Sequence, residues 1–125
     1  MARQIWLERL AWSLQIALAG VFFNAAYRKF TDHAVPVETF QALGMDPWFR
    51  YVTGCLELAG GIGLLIRPVS GLAALGLAIV MIGAIGTHLF LVPDSILPAS
   101  LLLLALLLVA TARKEEILEQ GKLWL

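Results

Sequence analysis

A single cysteine, Cys55, leaves this chain without an internal disulfide, a CxxC pair or a CxxCH haem attachment. Its expected place is a helix interface, as a small apolar residue. Charge is sparse as well: 14% of residues are charged, against about 25% in ordinary soluble domains. Nine basic residues balance nine acidic ones, so there is no basic stripe to hold nucleic acid. The apolar part of the chain offers one carboxylate, Glu57, and one imidazole, His88. That falls short of the three or four protein ligands of a zinc site, and no metal is expected. No Ser-His-Asp arrangement, phosphate loop or nicotinamide fingerprint occurs. A catalytic nucleophile other than Cys55 is hard to name.

What fills the chain instead is apolar sequence in long runs, with 60% hydrophobic residues over 125 positions. Runs of this length are the signature of membrane spans, and the expected fold is all-α: one domain, a bundle of four transmembrane helices. The first span covers residues 10–27. It reads as a span and not as a cleaved leader because apolar sequence continues through Val21, Phe22 and Phe23 with no polar start behind Ala17-Leu18-Ala19. Residues 30–49 form the longest connection, punctuated by Pro36, Gly44 and Pro47. Val37, Phe40 and Leu43 recur every three residues within it, which predicts a short interfacial helix or lid between helices 1 and 2. Asp46-Pro47 reads as N-cap and first residue of the second span, 48–66, with an aromatic belt of Trp48, Phe49 and Tyr51 at its entry.

Arg67-Pro68-Val69-Ser70 is expected to be a tight turn, with Ser70 capping the third span. That span, residues 71–91, is rich in glycine and alanine and is expected to pack centrally. The fourth, residues 96–112, is nearly all leucine and alanine and is expected to face lipid. A charged tail, 113–125, ends in Leu123-Trp124-Leu125 and either lies on the membrane surface or frays. With four spans, Arg3, Arg9, Arg67, Arg113, Lys114 and Lys122 share one side, and Arg28, Lys29 and Arg50 the other. The positive-inside bias then predicts both termini in the cytoplasm, in the inner membrane of a cell.

The stretch from Tyr51 to Arg67 organises the functional reading. Glu57 is the only formal charge between Arg50 and Arg67. A carboxylate in lipid costs about 2.5–3.5 kcal/mol on insertion scales unless it is neutral, paired or turned to a cavity. Gly54, Gly60 and Gly61 lie three or four residues away and share its helix face, so Glu57 is expected to face protein. Asn24, Arg28 and Lys29 near the end of helix 1, Thr53 and Glu57 in helix 2 and His88 near the end of helix 3 are the polar groups in the same half of the bundle. They are the candidate cavity or ligand-binding residues, with Glu57 and His88 the candidates for moving a proton. Ser13 and Gln15 lie deeper toward the other side and read as structural.

At these residues the chain resembles the DoxX-like family of small four-helix membrane proteins. The resemblance covers about residues 10–112 and rests on Gly20, Phe23 and Lys29, on Leu43-Gly44-x-x-Pro47, on Gly54-x-x-Glu57 with Gly60-Gly61 and Leu64-Leu65, and on Ala73-Ala74, Met81, Ala84 and His88. It implies the four-helix bundle and singles out Lys29, Glu57 and His88. Relatives include subunits of a thiosulfate:quinone oxidoreductase or of a membrane redox complex, and an assembly chaperone for a ligand-gated channel.

Two functions follow as expectations. One is a non-catalytic accessory or assembly subunit whose polar intramembrane cavity holds a lipid or a client protein. The other is a quinone-binding subunit of a membrane oxidoreductase complex, enzymatic only with a redox partner, in which Arg28 or Lys29 holds an anionic substrate. A homodimer through a face such as Ala59 and Gly63 is a further expectation.

Overall fold

The computed structural model describes residues 2–31, 41, 44, 48–90 and 96–124, and five helices account for nearly all of them. They are α1 (Ala2–Phe30), α2 (Trp48–Leu64), α3 (Arg67–Phe90), α4 (Leu97–Ala112) and α5 (Lys114–Trp124). No strand occurs among the described residues. Helices α1 to α4 form a closed bundle in which α1 packs on α2, α2 on α3, α3 on α4 and α4 back on α1. The short fifth helix folds against α3 and meets α4 at a 67° bend.

Each helix turns one stripe inward. On α1 the buried stripe is Ala11, Gln15, Leu18, Phe22 and Ala26, at the three- and four-residue spacing that keeps one helix face together. On α3 it is Ala74, Leu77, Ala78 and Met81, and on α4 Ala99, Leu106, Val109 and Ala110. The leucine-rich α4 is therefore two-faced: Leu101, Leu104 and Leu108 point outward while Leu106 and Val109 are fully buried. A ring of exposed Ile, Leu and Trp surrounds the bundle, the surface that a lipid environment accepts. Two helices, Arg3–Phe30 and Arg67–Thr87, are long and apolar enough to cross a membrane, and α4 with α5 is a third if the bent pair counts as one span. Helix α2 has 17 residues, about 25 Å of helix, at the lower limit for a hydrocarbon core of about 30 Å.

Glycine does its work where helices approach. A Cβ on Gly61 would sit 2.7 Å from the Phe23 ring, and one on Gly63 2.8 Å from the Cβ of Ala73. Gly63 is thus spent inside the chain, between α2 and α3. The glycines of α3 divide: Gly71 lies under Ile117, the others do not touch a neighbour. Gly76, Gly83 and Gly86 face open space, and alanines 73, 74 and 78 make the close packing instead.

Several boundaries are corrected. Helix α3 begins at Arg67, where the turn was expected, and the turn itself is Leu65–Ile66. Pro68 is accommodated in the first turn, where its missing N–H costs nothing. Ser70 does not cap from outside; its hydroxyl donates to the Arg67 carbonyl at 2.9 Å. The tail does not fray but forms α5, with Ile117 packed over Gly71. Cys55 is exposed, not at an interface. It stands two residues from the buried Glu57, about 200° around the helix and so on the opposite side. Gly44, at φ +71°, turns the chain as expected, its N–H bonding to the Gln41 carbonyl at 2.9 Å. Apart from Gln41, which is helical, the proposed lid helix over 37–43 lies outside the described residues, as does the Asp46-Pro47 cap.

The Gly63–Ala73 contact gives a test. Gly63→Ala is expected to destabilise by about 1–3 kcal/mol, since the opposing Cβ is fixed to backbone, and Ala73→Gly in the same chain to restore most of the loss. Gly83→Ala, into open space, is expected to be neutral or stabilising by up to about 1 kcal/mol. Denaturant unfolding in detergent or bicelles measures all three.

Candidate functional site

Helices α1 and α2 run antiparallel, which brings the last turn of α1 beside the middle of α2. Phe30 covers Gly54 and Phe23 covers Gly61, and Glu57 lies between those two levels on the same face. There the Nζ of Lys29 stands 2.7 Å from Oε1 of Glu57, with side-chain exposures of 15% and 3%. The two are held as close ions; the approach lies outside directed hydrogen-bond geometry. Arg50, itself buried, donates Nη1 to the backbone carbonyl of Lys29 and lies 4.7 Å over the Tyr51 ring. A second cation therefore fixes the backbone from which Lys29 reaches Glu57.

The other expected residues are distributed around this pair. Arg28 is half-buried and Asn24 exposed. The Thr53 hydroxyl donates to the Phe49 carbonyl of its own helix at 2.9 Å. His88 falls near the end of α3, and its side chain lies outside the described residues. Among the described side chains of the six, those of Lys29 and Glu57 bring their charged atoms together. No group of three or more His, Cys, Asp or Glu suited to a metal occurs among the described residues.

A second buried polar cluster lies at the opposite end of the bundle, where both chain ends gather. Arg113, 1% exposed, donates Nε to Gln15 Oε1 at 2.9 Å, and its Nη1 lies 3.0 and 2.9 Å from the two oxygens of Glu8. Its guanidinium also stands 5.5 Å over the Trp12 ring. Gln15, fully buried, passes the link on by donating Nε2 to the Leu64 carbonyl at 2.7 Å, where the last carbonyls of α2 lack helical partners. Arg67 bridges Glu8 at 3.2 Å and Glu116 at 3.3 Å, tying α3 to α1 and α5. Gln15 is structural, as its depth suggested. Arg113, the first residue of the charged segment 113–125, is thus a buried tie, a role not assigned to it from the sequence. One signal pointed to it: Glu8 and Gln15 are seven residues apart on the stripe of α1 that carries Ala11, Leu18 and Phe22, and polar groups on a core stripe require a partner.

These features define a membrane helix bundle in which the buried ionisable side chains Lys29, Glu57 and Arg113 join neighbouring helices. The chain belongs to the DoxX-like family, whose model matches residues 13–111. Neither the curated proteins nor the solved structures contain a significant match to the chain.

A buried ion pair predicts an asymmetric response to mutation. Lys29→Met leaves a buried carboxylate unpaired and is expected to cost about 3–5 kcal/mol, whereas Lys29→Met with Glu57→Met recovers most of it. Arg113→Ala is expected to cost a similar amount, about 3–5 kcal/mol. In a double-mutant cycle with Glu8→Ala the two losses fall short of additivity by 0.5 kcal/mol or more, the coupling of residues in direct contact. Unfolding midpoints of the single and double variants check both.

Proposed function

We propose that this protein is a non-catalytic accessory or assembly subunit of the inner membrane, with both termini cytoplasmic. The observation that carries the reading is the 2.7 Å contact between Lys29 and a Glu57 carboxylate that is almost wholly buried. Such a carboxylate is already neutralised by a partner on the neighbouring helix, which suits a tie better than a group awaiting a proton or a substrate. The cluster at the other end supports the same view, since Arg113, Gln15, Glu8 and Arg67 spend their polar atoms on joining helices. The orientation is supported by six basic residues on the side of the termini against three on the other. A client segment or lipid would then meet the exposed apolar faces of the bundle.

The test uses the charge-free pair. Lys29→Met/Glu57→Met keeps the helices together without an ionisable group at the site. An accessory subunit is expected to complement a deletion fully in this form, with the level of the membrane complex it serves restored. Loss of complementation by a variant that folds and reaches the membrane overturns the reading. So does a stoichiometric quinone in gently extracted wild-type protein that disappears in Glu57→Gln, which would favour the quinone-binding subunit.

A further inference from the structure

At the end of the bundle where the termini gather, an open pocket of about 210 Å³ lies between the first turn of α3 and helix α5, lined by Arg67, Pro68, Glu116, Glu119 and Gln120. The volume is below the roughly 300–1,000 Å³ of pockets that enclose drug-sized ligands, and suits a small headgroup. Its walls carry unspent groups of opposite character. A guanidinium has five N–H donors. Arg67 uses Nε toward Glu116 and Nη1 toward Glu8, and its Nη2 has no partner among the described residues. Glu119 and Gln120 likewise make no hydrogen bond or ion pair there. A ligand that satisfies both sides carries an anionic oxygen and a hydrogen-bonding cation a few ångströms apart.

The surroundings say what that ligand is attached to. Leu65, Ile66 and Leu72 are exposed beside Arg67, and Leu118 is exposed next to Glu119. The pocket is therefore flanked by apolar surface of the kind that acyl chains cover. It also lies where α2 ends and α3 begins, and where α5 turns across the end of α4, so it stands at the level where apolar spans give way to charge. We propose that this pocket binds the headgroup of a phospholipid carrying a primary amine, the ethanolamine class, with its phosphate on Arg67 and its ammonium on Glu119. A choline headgroup has the same charges but no N–H to donate, and a glycerol headgroup has no cation for Glu119. The site rests on the membrane bundle alone and not on the accessory role.

The test is lipid retention by the full chain in nanodiscs of equal ethanolamine, choline and glycerol phospholipids with identical acyl chains, read by native mass spectrometry. The ethanolamine lipid is expected to be retained about fivefold over each of the others, the scale of one net hydrogen bond. Glu119→Gln is expected to bring that ratio close to one with the unfolding midpoint unchanged, because Glu119 holds no other group. Glu115→Gln, an exposed carboxylate on α5 outside the pocket, is expected to leave it in place. Equal retention of the three lipids by the wild type overturns the proposal. So does a preference that survives Glu119→Gln, or one that falls equally in Glu115→Gln, which would make it general surface electrostatics.

Discussion

The guanidinium of Arg113 is the point at which the chain closes on itself. Through it the end of α4 is bound to Glu8 and Gln15 of α1, and through Gln15 to the last carbonyl of α2. In lipid no hydrophobic force drives one apolar helix against another, so packing and polar contacts must hold the bundle. Arg113 supplies such contacts where they are most costly to lose, because its side chain is almost completely buried. The partners lie 98 and 105 positions away in the chain, so the tie joins the two ends of the bundle's sequence.

Lys29 and Glu57 play the corresponding role in the other half of the bundle. The two polar ties are separated by an apolar layer built from Leu18, Phe22, Leu64, Leu77 and Leu106. Residues at the two levels fix different things. The Lys29–Glu57 pair sets the register of α1 against α2, with Arg50 anchoring the backbone behind Lys29. The Arg113 cluster sets where α4 ends and how α5 leaves it, since Arg67 reaches Glu8 and Glu116 from the start of α3. Ile117 then fills the notch over Gly71, where a Cβ would collide.

How much of this could be read from the chain depended on how anomalous each residue was in its own surroundings. Glu57 stands alone in an apolar run, so its need for a partner was plain, and Gly54 and Gly61 correctly marked the face that meets α1. Which cation meets it was not legible, since Arg28, Lys29 and Arg50 lie on the same side and the family resemblance alone singled out Lys29. Arg113 was hidden because it opens a charged segment, Arg113-Lys114-Glu115-Glu116, in which a solvated cation is the ordinary expectation. Composition could not separate the glycines of α3 that touch another helix from those that do not. Gly71 and Gly76 are alike in sequence, yet one lies under Ile117 and the other faces open space. Cys55 shows the same limit in reverse, since its small apolar side chain suits an interface and its angular position places it outside.

Helix lengths explain why the polar ties fall at the ends. Around the bundle long and short helices alternate: 29 residues in α1, 17 in α2, 24 in α3 and 16 in α4. At 1.5 Å per residue the long pair extends about 43 and 36 Å and the short pair about 25 and 24 Å. Each short helix packs between the two long ones, and α1 runs on toward Ala2 past the level of Leu64, the end of α2. The end of a helix carries carbonyls without helical partners, and in lipid these must be met from within the protein. At the end of α2 that need is met by Gln15 from the overhanging α1. At the end of α4 the chain turns through 67° and continues as α5, the N–H of Ile117 taking the Arg113 carbonyl at 3.2 Å while the Arg113 side chain crosses to the same overhang of α1. The long first helix thus serves both short ones, and its polar residues Glu8 and Gln15 lie on its inner stripe because that is where their unfinished ends arrive.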